Sequence, residues 1–312
     1  MSENSYVIGV DVGGSHILSG AIELQTGTLL GTSLFDAKID NKASRTAIMQ
    51  AWAGTINQSL KAVQGNHVLG IGFAMPGAFN YKTGVALFEG NEKYESLYDC
   101  HVPQSLGPLL ISKTLKMRFL NDASSFAVGE AWKGEAAGKN KALSITLGTG
   151  FGSAFVKKGI PVTSGETVPE HGCLWHLPFQ DGIGDDFFST RWFTNSYKSL
   201  TGKEIPGVKE LHDLHKKGDS VAMLLFHEFG INLGKFINIW IQRFEPDVLV
   251  MGGNISKAWD LFSTSFYQEL DREKLQLEVK VSQLKEQAAL LGGARLFDPD
   301  TWEKIKQVLT EF

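Results

Sequence analysis

Two cysteines in 312 residues, Cys100 and Cys173, are too few for a disulfide framework or for a zinc site built from cysteines within one chain. Long hydrophobic runs are absent: no stretch approaches the ~18 unbroken apolar residues that a membrane-spanning helix needs, so no membrane partner is expected. Excess positive charge is missing as well. With 30 Lys and Arg against 34 Asp and Glu, the net charge is −4, and no global field exists to attract nucleic acid or anionic lipid. The opening MSENSYVIGV has neither the basic nor the apolar segment of a secretory signal, and a cytoplasmic location is the expectation. Small diffusing partners remain.

Glycine is plentiful, at 34 residues, and its clusters fall where apolar strands end. The stretch VIGVDVGGSHILSGAI runs from an apolar strand into Asp11, two glycines and two small or polar residues before turning apolar again. A buried strand gains nothing from a carboxylate, and paired glycines weaken it. The stretch ALSITLGTGFGSAFVK repeats the design of strand, glycine turn and returning strand about 135 residues later, which suggests a duplicated unit and two related domains. A length of 312 residues accommodates two domains of ~150.

Periodicity predicts strands over residues 6–11, 17–24, 29–35, 68–73, 117–120, 142–147 and 154–157, and another in DVLVMGGN. Helices are predicted over 43–63, 105–114, 186–199, 220–244, 257–270, 286–297 and 300–309, and in NDASSFAVGEAW. Alternation of this kind indicates an α/β fold with mixed sheets.

Three glycine turns, DVGGS, GTGFG and MGGN, stand at strand ends, where backbone N–H groups can approach a phosphate without an intervening Cβ. Neither the dinucleotide fingerprint nor the P-loop occurs at them. Asp11 is either a turn residue or a carboxylate that holds Mg²⁺ against nucleotide phosphates. Asp122 is either the N-cap of the helix that follows or a base that accepts a hydroxyl proton as a phosphoryl group arrives.

Taken in order, DVGGS, GFAMPGAF, NDASSFAVGEAW, SITLGTGFGSAF, VLVMGGNIS and ALLGGA resemble the sugar kinases of the ROK family, within the hexokinase, Hsp70 and actin superfamily. The resemblance implies two ribonuclease H-like (actin-like ATPase) domains with mixed sheets around a central cleft that takes ATP and sugar. It implies a smaller domain of residues 1–119, joined by a C-terminal helix in 299–312, and a larger one of 120–298. By motif match, Asp11, Gly13, Gly14 and Ser15 resemble the first phosphate loop, Gly148, Thr149 and Gly150 the second, and Gly252, Gly253 and Asn254 the adenosine loop. Asp122 matches the catalytic base and Asn121 a sugar-hydroxyl ligand. Pro76 and Gly77 match the loop that shapes the sugar pocket, and Asn91 a further hydroxyl contact. Mg²⁺ is expected at Asp11, through water or phosphate.

One region departs from the family's pattern. Where cysteines and a histidine hold a structural zinc in many members, this chain reads GETVPEHGCLWHLPFQDGIGDD with Cys173 alone, so no structural zinc is expected. Glu170, with His171 or His176, is the candidate replacement for the sugar-binding E-x-G-H, and Asp185 falls at the place of a sugar-binding glutamate. His176 is equally a histidine packed beside Trp175, and Asp185 equally a helix cap. The expectation is an ATP-dependent kinase acting on a hexose or N-acyl hexosamine at O6, glucokinase-like and homodimeric. A sugar-responsive regulator is the alternative, disfavoured by the acidic balance and the absence of a DNA-binding segment ahead of the first strand.

Overall fold

Residues 7–22 fold as their pattern suggests: Ser5–Val12 and His16–Glu23 form an antiparallel hairpin in register Val12 with Ile17, closed by the turn that carries Gly13 and Gly14. The computed structural model describes residues 5–90 and 93–309. Its chain forms two units, one of Met1–Gly138, Lys158–Pro161 and Glu286–Phe312, the other of Lys139–Lys157 and Val162–Lys285.

In the first unit the hairpin lies in a six-stranded mixed sheet. Ser5–Val12 pairs in parallel with His67–Met75, which pairs in parallel with Lys116–Asn121. Thr28–Leu29 and Phe35–Lys38 both pair with His16–Glu23. The single strand expected over 29–35 is therefore interrupted, by a 3₁₀ turn at Gly31–Ser33. Its cause is buried Ser33, whose hydroxyl accepts from Ala21 N–H and donates to the Leu30 carbonyl, bonds that a flat strand would forgo. The helix Arg45–Ala62, capped by Ser44, covers this sheet with Trp52 and Ile56 fully buried.

The second unit repeats the plan. Lys141–Leu147 and Phe151–Lys157 make a hairpin in register Leu147 with Phe151, and Lys141–Leu147 pairs in parallel with Val248–Gly252, which pairs with Glu278–Val281. The helix Ser220–Phe244, capped by Asp219, lies against Trp259–Arg272 where Gly230 lets the backbones meet; a Cβ there would stand 2.4 Å from the Phe262 carbonyl. Aromatic rings, among them Phe151, Phe188, Phe229 and Phe236, fill this core.

Sequence periodicity misses the helix Val208–Lys216 and the strand Glu278–Val281, a four-residue edge strand whose alternate residues are exposed. The helix expected over 105–114 is shorter, Val102–Leu106 followed by a 3₁₀ turn containing Pro108. That expected over 186–199 is two pieces, Gly184–Phe187 and Thr190–Thr201, separated at Phe188 and Ser189.

The helix Asp122–Lys133 and the helix Gln287–Arg295 both belong to the first unit. They are locked to it through glycines: a Cβ on Gly129 would lie 1.9 Å from the Ala288 carbonyl, one on Gly292 1.8 Å from the Ser125 carbonyl, and one on Gly72 1.9 Å from the Gly293 carbonyl. No helix among the described residues is long and apolar enough to cross a membrane.

Candidate active site

Asp122 opens a helix at the end of a buried strand. Its neighbour Asn121, not Asp122 itself, is the N-cap: Asn121 Oδ1 accepts from Ser124 N–H at 3.1 Å. Asn121 Nδ2 donates to Asp122 Oδ1 at 3.0 Å and to the Tyr81 hydroxyl at 3.3 Å, and Ala123 N–H also reaches Asp122 Oδ1, at 2.8 Å. Oδ1 is thus fixed by two donors from neighbouring residues, and no other described residue donates to Oδ2. Burial pushes the Asp122 pKa above the ordinary carboxylate range, against the hydrogen bonds from Ala123, Asn121 and its own N–H. A carboxylate held by one oxygen, half-buried and of raised basicity is suited to take a proton from a hydroxyl.

Asp11 belongs to the same unit, at the end of the strand Ser5–Val12. No hydrogen bond or ion pair reaches its carboxylate among the described residues, and its pKa is pushed up to about 8 by burial, then by the charges of Asp122 and Glu286. An unpartnered carboxylate near two others fits a divalent cation. No group of three or more His, Cys, Asp or Glu able to hold a metal occurs among the described residues, so such a cation would take most of its ligands from phosphate oxygens and water.

The turn after Asp11 directs its carbonyls into the protein. Gly13 O accepts the Tyr94 hydroxyl at 2.7 Å, Gly14 O accepts Asn41 Nδ2, and Ser15 O accepts Ile39 N–H. Gly13 N–H donates to the His16 carbonyl. The N–H groups of Gly14 and Ser15 have no partner among the described residues. Gly13 sits over the His16 imidazole, where a Cβ would meet the ring at 2.5 Å.

In the second unit the turn between Lys141–Leu147 and Phe151–Lys157 is built the same way. Gly148 O accepts Thr190 N–H and Oγ1, Thr149 O accepts Arg191 Nη1, and Gly150 O accepts Gly148 N–H. The N–H groups of Thr149 and Gly150 are left without partners among the described residues. Two adjacent free N–H groups on a turn form an anion-binding concavity. Gly252, Gly253 and Asn254 follow the strand Val248–Gly252 in the same unit. Gly253 has φ +82° and stands against the Leu147 carbonyl, 2.3 Å from where its Cβ would be, so only glycine fits. Asn254 Oδ1 accepts Lys257 Nζ at 2.7 Å.

The sugar candidates are distributed unevenly. Pro76 and Gly77 follow the strand His67–Met75, whose last carbonyl accepts the Tyr81 hydroxyl that also meets Asn121. Asn91 lies outside the described residues. Glu170 projects to solvent beside His171, 3.8 Å from its Nε2. His176 packs its Nδ1 3.6 Å from Cys173 Sγ, with its ring edge-on to Trp175, and burial lowers its pKa. Burial likewise pushes the Cys173 thiol up to about 11. Asp185 accepts the Phe151 N–H, just after the Gly148–Gly150 turn, and Arg191 Nη2. Tyr81, Asn41, Tyr94, Glu286 and Arg191 escape sequence reasoning because each meets its partner only through the fold, as Tyr94 meets Gly13 across 81 residues.

Known proteins resemble the chain throughout its length. A glucokinase from Thermotoga maritima is 27% identical, over 93% of this chain and 96% of its own. An N-acetyl-D-glucosamine kinase from Haemophilus influenzae is 27% identical, over 73% and 80%. A crystal structure of a ROK family glucokinase from Streptomyces griseus in complex with glucose and AMPPNP superposes with a TM-score of 0.72 at 20% identity, over 93% of this chain and 98% of that one, and shares its actin-like ATPase fold. The sequence profile of the ROK family matches residues 7–299, and the chain belongs to that family.

Proposed function

We propose that this protein is an ATP-dependent sugar kinase that transfers the γ-phosphoryl group of ATP to O6 of a hexose or N-acyl hexosamine. The observation that carries the reading is Asp122, held by Asn121 and Ala123 through one oxygen, its other oxygen without a donor from any other described residue and its basicity raised. In this reading Oδ2 accepts the hydroxyl proton as the oxygen attacks phosphorus, and Asn121 keeps the carboxylate in place. Hydroxyl oxygen and γ-phosphorus form a bond, the bond to the β-phosphate oxygen breaks, and ADP leaves.

The N–H pairs of Gly14 and Ser15 and of Thr149 and Gly150, without partners among the described residues, are each suited to phosphate oxygens, and Gly252, Gly253 and Asn254 are assigned to the adenosine end by family likeness. Asp11 would hold Mg²⁺ through water or phosphate, and the ion would neutralise charge on the phosphates. Pro76, Gly77, Asn121, Glu170 and His176 are the assigned sugar contacts. The names of the glucokinase and N-acetyl-D-glucosamine kinase relatives support the substrate class and weigh against the regulator reading. A homodimer is the working form that the family likeness suggests.

The test is ADP release coupled to a panel of hexoses and N-acetylhexosamines with the wild-type chain and Asp122→Asn. Sugar-dependent release that the variant loses while its melting temperature holds is expected. Equal turnover by the variant would remove Asp122 from the reaction.

A further inference from the structure

Asp185 was expected among the sugar ligands, and its side chain is engaged elsewhere. Oδ1 accepts the N–H of Phe151 at 2.7 Å and Oδ2 accepts Arg191 Nη2 at 2.5 Å. Arg191 in turn donates Nη1 to the Thr149 carbonyl at 3.1 Å, and its neighbour Thr190 supplies both N–H and hydroxyl to the Gly148 carbonyl, at 2.8 and 2.9 Å. The Asp185 N–H is itself tied to the Trp175 carbonyl at 2.9 Å. Gly150 permits the approach, since a Cβ there would stand 3.0 Å from Asp185 Oδ1. Every residue from Gly148 to Phe151 is thereby held through a backbone carbonyl or amide, and the two amides left over, of Thr149 and Gly150, are adjacent.

We infer that Asp185 and Arg191 form a positioning pair for the nucleotide rather than a contact for the sugar. The pair orients the Gly148–Gly150 turn so that its two remaining N–H groups face a phosphate without reorganising. A planar guanidinium bridges a carboxylate and a carbonyl at once, which a lysine ammonium with its point charge does poorly. The inference rests on reading that turn as a phosphate turn.

The experiment titrates the full-length protein with a fluorescent ATP analogue and Mg²⁺, without sugar, for wild type, Asp185→Asn, Arg191→Gln and Arg191→Lys, and measures KM for ATP and for sugar separately. Loss of the charged pair is expected to weaken nucleotide binding about 10- to 100-fold, the cost of one or two charge-assisted hydrogen bonds. Sugar KM and melting temperature should hold, and Arg191→Lys should recover only part of the affinity. Unchanged nucleotide affinity in Asp185→Asn and Arg191→Gln overturns the inference, and a rise in sugar KM alone would return Asp185 to the sugar. Wild-type protein that binds the analogue but turns over no sugar would defeat the kinase reading and leave the pair to be judged by the titration.

Discussion

Asp122 and Asp11 are two half-buried carboxylates in one unit with different surroundings. Asp122 has two neighbouring donors on one oxygen, and Asp11 has none among the described residues. Replacing Asp122 by Asn keeps the size and the bond from Ala123 but removes the proton acceptor, so turnover should fall ~10²–10⁴-fold with the fold intact, as read by the coupled assay beside a thermal melt. For Asp11 the folded-state pKa of about 8 lies above the ~3.9 of an unfolded aspartate. The folded chain therefore binds the extra proton between those values, and the stability this group contributes is full below pH ~4 and lost as pH rises to about 8. Asp11→Asn should raise the melting temperature of nucleotide-free and metal-free protein at pH 8 and have little effect at pH 4.5, while abolishing turnover. A melting difference independent of pH would show that the Asp11 carboxyl is not strained in the empty site. The chemistry of both residues is legible in the sequence, as carboxylates out of place at strand ends. The groups around them are not: nothing local marks Glu286, whose charge acts on Asp11, Tyr81, which meets Asn121, or Asn41, which holds the Gly14 carbonyl.

At the level of elements, each unit carries one glycine turn with two adjacent N–H groups, and in the first unit a glycine-lined helix contact holds the helix that Asp122 opens. Tyr94 closes the first turn by donating to the Gly13 carbonyl, and burial pushes its phenol pKa further up, so it stays a donor at any working pH. Tyr94→Phe should cost about 1 kcal/mol of stability, measured by urea unfolding, and raise KM for ATP more than KM for sugar. The helix Asp122–Lys133 is held by the contact of Gly129 with the Ala288 carbonyl, where a Cβ would come within 1.9 Å. Gly129→Ala should therefore destabilise by about 1–3 kcal/mol despite the better helix propensity of alanine, and a stabilised variant would refute that packing. The helix Ser220–Phe244 and the two hairpins are legible because long periodic runs and glycine turns are local signals. The break at Ser33, the split of the helix at Phe188 and Ser189 and the edge strand Glu278–Val281 depend on tertiary partners or on a pattern too short to carry a period.

For the whole molecule, the repeated hairpin design and the order of motifs already point to the fold and to the ROK family, which the profile match over residues 7–299 shows. Residues 286–312 and the helix Asp122–Lys133 join the first unit through backbone contacts at Gly72, Gly129 and Gly292, and a glycine in a helix gives no hint of which partner it admits. The departures around Cys173 were legible as a loss, but not the use to which Asp185 is put, since that depends on Arg191 reaching the Thr149 carbonyl. The most direct measurement is ADP release from ATP and Mg²⁺ by the full-length protein against glucose, mannose, fructose, allose, N-acetylglucosamine and N-acetylmannosamine, with Asp122→Asn alongside. A sugar kinase gives release that depends on at least one of these sugars and disappears in the variant; release independent of every sugar, or sugar binding without release, would contradict it.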